Sequence, residues 1–152
     1  MPKLPIAGPV MLTDISIEGD RCRNTMVHGG PKQAVLMVSA EVIDDLAARG
    51  FPVYYGAIGE NLTVSGLDPH MWRSGQRYRV GIDAVIELTK RRTPCMNLDV
   101  YTPEIKSAIY DAQCKAKDNT SPLWGHSGFY ARIIRPGLIQ AGDPVILESD
   151  VA

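Results

Sequence analysis

The feature that most limits what this chain can fold into is the shortness of its apolar runs. Ala34-Val35-Leu36-Met37-Val38, Ala84-Val85-Ile86-Glu87-Leu88-Thr89 and Phe129-Tyr130-Ala131-Arg132-Ile133-Ile134-Arg135 are strand-length segments closed by glycine, proline or polar residues. Glycine opens the left-handed backbone region and proline removes a ladder donor, so such punctuation ends strands and makes turns. With 14 glycines and 11 prolines in 152 residues, few segments have room for a long helix. Only two patterns read as helical. Ser39 is placed to cap a helix running through Arg49 and stopped by Gly50, with Val42, Ile43, Leu46 and Ala47 as its apolar stripe. Thr102-Pro103-Glu104 predicts a second start with proline at the first helical position, followed by Ile105, Ala108, Ile109, Ala112 and Ala116 at helical spacing. Cys114 falls outside that stripe and reads as an incidental thiol. Many short strands with two helices predict a mainly β fold, a barrel or strongly curved sheet with helices packed outside.

The remaining strands read in order. Pro2–Met11 is an arm or edge strand leading to Ile15-Ser16-Ile17. Gln76-Arg77-Tyr78-Arg79-Val80 turns at Gly81-Ile82-Asp83 into the strand that begins at Ala84, which is hairpin grammar. Arg77 and Arg79 read as a solvated strand face. Asp118–Gly128, carrying Trp124 and His126, reads as a loop, either a lid or simply mobile.

A chain of this length forms one domain by default, residues 1–152. Apolar residues at 45% and charged residues at 22% are ordinary for a globular protein, and the net charge of −1 gives no global reason to bind a nucleic acid polymer or an anionic membrane. No run approaches the roughly 20 apolar residues of a membrane-spanning helix, and Met1–Ile6 lacks a signal-peptide apolar region, so the cytoplasm is the expected location. Three cysteines without C-x-x-C spacing, with His28, His70 and His126 scattered, fit a reducing compartment better than a disulfide framework or a structural zinc site.

Chemistry concentrates at Lys90-Arg91-Arg92-Thr93-Pro94-Cys95, where a strand ends in a thiol. Nearby fixed cations favour thiolate over thiol, and a thiolate attacks electrophiles or binds soft metals. The plainer reading is a small buried hydrophobe. A second cluster, Gly19-Asp20-Arg21 with Val27-His28-Gly29-Gly30-Pro31-Lys32, sets Arg21, His28 and Lys32 around the amides of Gly29 and Gly30 and can cradle an anion, or can be a tight turn and no more. In Gly56-Ala57-Ile58-Gly59-Glu60-Asn61-Leu62 the side chains of Glu60 and Asn61 can read a polar heterocycle edge, or Glu60 can hold the loop; the glycine spacing is not that of a nucleotide-binding loop.

Taken together, Gly19-Asp20-Arg21, Val27–Pro31, Gly56–Leu62, Arg92-Thr93-Pro94-Cys95 and Gly137 through Gly142-Asp143 resemble the MOSC domain, in order and spacing from about Ile15 to Leu147. The resemblance implies a MOSC-type barrel, like that of pyruvate kinase, and a molybdenum–pterin cofactor with Cys95 as metal ligand and catalytic residue. It implies Arg21, His28, Gly29, Gly30, Lys32, Glu60, Asn61, Arg91 and Arg92 as cofactor-binding candidates. Small standalone bacterial members reduce N-hydroxylated bases such as 6-hydroxylaminopurine with electrons from a partner protein. They carry a helical extension beyond the barrel, and larger amidoxime-reducing relatives an additional N-terminal domain, so the resemblance covers the barrel part alone. Two alternatives stand behind that reading: a sulfur carrier or cofactor-binding module holding a persulfide on Cys95, served by a desulfurase partner and without its own turnover, or a barrel that has lost the chemistry.

Overall fold

The computed structural model describes residues 2–20 and 30–151. Among these the regular structure is mostly strand, in the order β1 (Val10–Leu12), β2 (Val35–Ser39), α1 (Ala40–Ala48), β3 (Leu62–Val64), β4 (Arg77–Val80), β5 (Ala84–Arg91), α2 (Ile105–Ile109), α3 (Ala112–Lys115), β6 (Phe129–Arg135), β7 (Gly137–Ile139) and β8 (Val145–Ser149). Single 3-10 turns occupy Pro31–Gln33, Pro69–Met71 and Met96–Val100. β1 and β7 form an antiparallel pair, and the other strands follow the hydrogen-bonded order β3-β2-β6-β5-β4-β8. The expected balance of many short strands and few helices is what the chain adopts.

The residues cluster into two compact units. One comprises Met1–Leu4, Met37–Trp72 and Arg91–Phe129; the other comprises Pro5–Leu36, Arg73–Lys90 and Tyr130–Ala152. In the second unit the expected β4–β5 hairpin forms in the register Arg77↔Glu87 to Val80↔Ala84. Gly75 donates to the Leu88 carbonyl at 2.7 Å, extending the ladder beyond β4. Arg77 and Arg79 do lie on a solvated face, but each is paired: Arg77 Nε with Glu87 at 2.7 Å and Arg79 Nε with Glu148 at 3.1 Å. Arg132 reaches the second oxygen of Glu87 at 2.8 Å. Leu12, Tyr78, Ala84, Ile86, Leu88 and Ala131 form the interior of this unit.

In the first unit, β3 pairs in parallel with the end of β2, Met37↔Leu62 to Ser39↔Val64. β2 is buried along its whole length, as expected of an uninterrupted apolar strand with a parallel neighbour. Val42, Ile43 and Leu46 of α1 are buried, whereas Ala47 is exposed. Ser39 precedes α1 as expected, but its hydroxyl makes no cap bond to the helix amides. It donates instead to Glu41 Oε2 at 2.7 Å, while Glu41 Oε1 accepts the Gly66 amide at 2.7 Å. The acid, not the serine, stitches the helix start to the loop beyond β3.

The second predicted helix is corrected more deeply. Pro103 and Glu104 form a turn, α2 lasts only from Ile105 to Ile109, and Tyr110 takes extended angles (φ −160°, ψ 131°). Asp111 then caps α3, its Oδ1 accepting the Cys114 amide at 2.7 Å. The break resets the helical phase, so Ala112 and Ala116 face solvent while Cys114 is fully buried, its Sγ 3.4 Å from Ser121 Oγ. A local cap competing with helix continuation explains the difference. The loop 118–128 is a packed element: Ser121, Trp124 and Ser127 are buried, and the Trp72, Trp124 and Phe129 rings meet edge to face at 6.1–6.2 Å. Such pairs add about 0.5–1.5 kcal/mol each beyond burial. The expected lid or mobile loop is held down by these buried side chains.

Candidate functional site: a thiol on a braced strand end

β5 runs two residues further than the sequence pattern predicts, through Arg91, and the chain then passes Arg92, Thr93 and Pro94 to Cys95, the residue that opens the Met96–Val100 turn. Cys95 is partly exposed and forms no disulfide. Its carbonyl accepts the Leu98 amide at 3.2 Å, which fixes the turn at the thiol-bearing residue. Met96 beside it is 80% exposed, while Leu98 in the same turn is buried.

The two arginines before it differ. Arg91 is an internal brace: its guanidinium lies 4.5 Å from the Trp124 ring centroid and 5.0 Å from that of Tyr110, and its Nη2 donates to the Cys114 carbonyl and to Tyr110 Oη. Stacking on aromatic faces together with a carbonyl acceptor suits the planar guanidinium. Arg92 is 6% exposed, and its backbone is tied twice to the packed loop, its amide donating to Gly128 O at 2.9 Å and its carbonyl accepting Ser127 Oγ at 2.7 Å. Among the described residues, its buried Nη1 has no hydrogen-bond partner. A buried unpaired donor costs about 1–3 kcal/mol, more when charged, so a guanidinium held this way points to an acceptor that the described residues do not supply.

Glu60 presents the complementary case. It is 2% exposed; Oε1 accepts the Gly56 amide at 2.7 Å and Thr63 Oγ1 at 3.3 Å, while Oε2 is buried with no partner among the described residues. One oxygen therefore holds the loop, and the other is left for something else. Gly56, at φ +95°, cannot be replaced freely: a Cβ there would collide with the Lys3 carbonyl, and the Lys3 amide donates to Gly56 O at 2.8 Å. Tyr101 Oη donates to Ala57 O at 2.6 Å, and the phenol's pKa is raised above its usual value by desolvation, with Tyr54 and the Glu60 carboxylate adding to the effect. Asn61, half-buried, precedes β3 in the same unit.

Of the predicted site residues, Cys95, Arg91, Arg92, Glu60 and Asn61 thus belong to the first unit. Gly30 and Lys32 belong to the second, where Gly30 (φ +86°) opens the Pro31–Gln33 turn and the Lys32 carbonyl accepts Thr89 Oγ1 at 2.6 Å. Arg21, His28 and Gly29 lie outside the described residues. Sequence reasoning missed Tyr101, Tyr110 and Ser127, which hold the loop and the arginine pair. No spacing pattern marks them, because each acts through one tertiary contact. No group of three or more His, Cys, Asp or Glu able to hold a metal ion occurs among the described residues.

A mainly β protein with a surface thiol at an arginine-braced strand end is the class that fold and site define. The chain belongs to the MOSC domain family, whose model matches residues 24–146. It is 32% identical over 155 residues to protein YiiM of Escherichia coli, covering 99% of this chain and 64% of that protein, and 31% identical over 143 residues to the uncharacterized protein YflK of Bacillus subtilis, covering 92% and 59%. The chain therefore spans about three-fifths of the length of these curated relatives. A protein of Gibberella moniliformis described as a reductase is 27% identical over 147 residues, 92% of this chain but 24% of its own length. Among solved structures, that of YiiM from Escherichia coli superposes with a TM-score of 0.71 at 29% identity over 99% of this chain and 67% of that one, and that of YiiM from Geobacillus stearothermophilus with 0.69 at 27% identity over 95% and 62%. The fold is the MOSC-type, mainly β fold that the sequence motifs imply.

Proposed function

We propose that this chain binds a molybdenum–pterin cofactor and serves the reduction of N-hydroxylated compounds, with Cys95 as the protein's ligand to the metal. The observation that carries this reading is the buried Arg92 guanidinium, without a partner at Nη1 among the described residues and three residues before the partly exposed thiol. The MOSC family is associated with this cofactor, and the reductase among the relatives agrees with redox use of it. The residues fit such a group. A thiolate suits a soft metal, a guanidinium suits a phosphate, and Glu60 Oε2 accepts from an N–H of a heterocycle. When bound, the cofactor supplies a two-electron centre able to cleave an N–O bond.

The chain's own residues do the rest. Arg92 neutralises and orients an anionic group in a poorly hydrated setting, and Arg91 keeps the strand end rigid through Trp124 and Tyr110. Glu60 fixes the Gly56–Glu60 loop with one oxygen and offers the second for recognition. Asn61, in the same unit, joins this proposed set, whereas Arg21, His28, Gly29, Gly30 and Lys32 are cofactor-binding candidates by the family resemblance alone. The substrate is a small N-hydroxylated molecule and the electrons come from a partner protein.

Molybdenum analysis of protein made in a cofactor-competent host, with Cys95→Ser and Arg92→Met in parallel, tests the reading. Near-stoichiometric metal in the parent chain is expected, falling severalfold or more in each variant. A well-folded parent chain devoid of metal, in a host that loads a control molybdoenzyme, would overturn it, and a persulfide on Cys95 by mass spectrometry would then favour sulfur transfer.

A further inference from the structure

His70 and the loop ending at Gly128 form a device that the proposed chemistry does not use. Asp68 caps the Pro69–Met71 turn, its Oδ1 accepting the His70 amide at 2.9 Å. The same oxygen lies 2.9 Å from His70 Nδ1, while Nε2 on the far side of the ring lies 2.7 Å from the Pro122 carbonyl. A carboxylate and a carbonyl are both acceptors. A neutral imidazole carries one N–H and can satisfy only one of them, so the two contacts together require the imidazolium. His126 stands edge to face with His70 at 5.1 Å, and burial, then the charge of His70, lowers its pKa and so favours its neutral form. The Pro122 carbonyl, and then Asp68, raise the pKa of His70 against its own desolvation.

The loop that His70 grips reaches the arginine pair. Trp124 lies over Arg91, and Ser127 Oγ donates to the Arg92 carbonyl. Two other ties join the loop to the same turn: Trp124 Nε1 donates to Trp72 O at 3.0 Å, and Gly125 packs so closely on the Pro69 carbonyl that a Cβ has no room. Neither titrates. The charged groups acting on the two rings include Asp68 on the turn and, from α1 and its end, Asp45 and Arg49 acting on His126.

We propose that His70 is a proton-operated latch. As the imidazolium it joins the Pro69–Met71 turn to Pro122; on losing a proton it keeps the charge-assisted bond to Asp68, releases Pro122, and loosens the loop that carries Trp124 and Ser127 onto Arg91 and Arg92. The carboxylate retains the remaining N–H because a bond to an ionised acceptor is roughly twice as strong as one to a neutral carbonyl. The Nε2 lone pair then faces the carbonyl oxygen, a contact that repels. Cys95 need carry no particular chemistry for the latch to operate.

The test is a pH titration of the full chain by nitrogen-correlated NMR of the histidine rings, with amide hydrogen exchange of Trp124, His126 and Gly128 corrected for intrinsic rates. The expected result is that both His70 nitrogens are protonated below a midpoint higher than the ordinary histidine value, and that protection of these amides drops about tenfold as pH rises through that midpoint. His70→Gln should abolish the pH dependence, and Asp68→Asn should move the midpoint and the protection loss downward together. A neutral His70 at pH 6, protection that ignores the His70 midpoint or follows that of His126, or unchanged pH dependence in either variant would overturn the proposal.

Discussion

Arg92 and Gly125 show how much a single residue carries here. The Arg92 side chain was legible in the sequence as a cation before a cysteine, but its burial was not, because burial depends on Ser127 and Gly128 arriving from more than thirty positions away. Gly125 gave no sequence signal at all. Its φ of +79° strains any L side chain, and its closeness to Pro69 adds a collision that cannot relax, since the obstacle is backbone. Gly142 shares the left-handed angle (φ +91°) but has open space around it. Gly142→Ala should therefore cost about 1 kcal/mol and Gly125→Ala clearly more, as chemical denaturation midpoints would read. Equal losses would show that the loop shifts away from Pro69 without penalty.

At the scale of elements, period and caps identified β2, the β4–β5 hairpin, α1 and β6, where local preference and tertiary packing agree. They failed at 102–116, because α2 ends at Ile109 and Asp111 offers its own cap to a new helix; nothing in apolar spacing reveals a competing hydrogen bond. The start of α1 yields a pH prediction. Glu41 has a lowered pKa, chiefly through the Gly66 amide and then Ser39, so its contribution to stability is present above the ordinary value of 4.5 and is lost as pH falls through the lower folded value. The Gly66 amide resonance should titrate with a midpoint below 4.5. In Glu41→Gln that titration should vanish, with only a small stability loss near neutrality because the carboxylate is exposed.

For the whole molecule, the sequence disclosed a mainly β chain of a recognisable family and the strand-end cysteine, whereas the packing of its aromatic residues emerged only in three dimensions. Tyr78 alternates as a strand residue should, yet burial together with the Asp150 charge pushes its phenol up to about 12. Folding thus favours the neutral form, so this contribution is complete below the ordinary value of 10.0 and is lost as pH rises from there through about 12. Ultraviolet titration should find one phenol ionising only near that value or on unfolding, and Tyr78→Phe should remove that component of alkaline destabilisation. The hydrogen bond between Lys3 and Gly56 reaches into practice as well. The same glycine offers its carbonyl to Lys3 and its amide to Glu60, so whatever displaces or cuts the segment around Lys3 acts on the strap that holds the Glu60 loop.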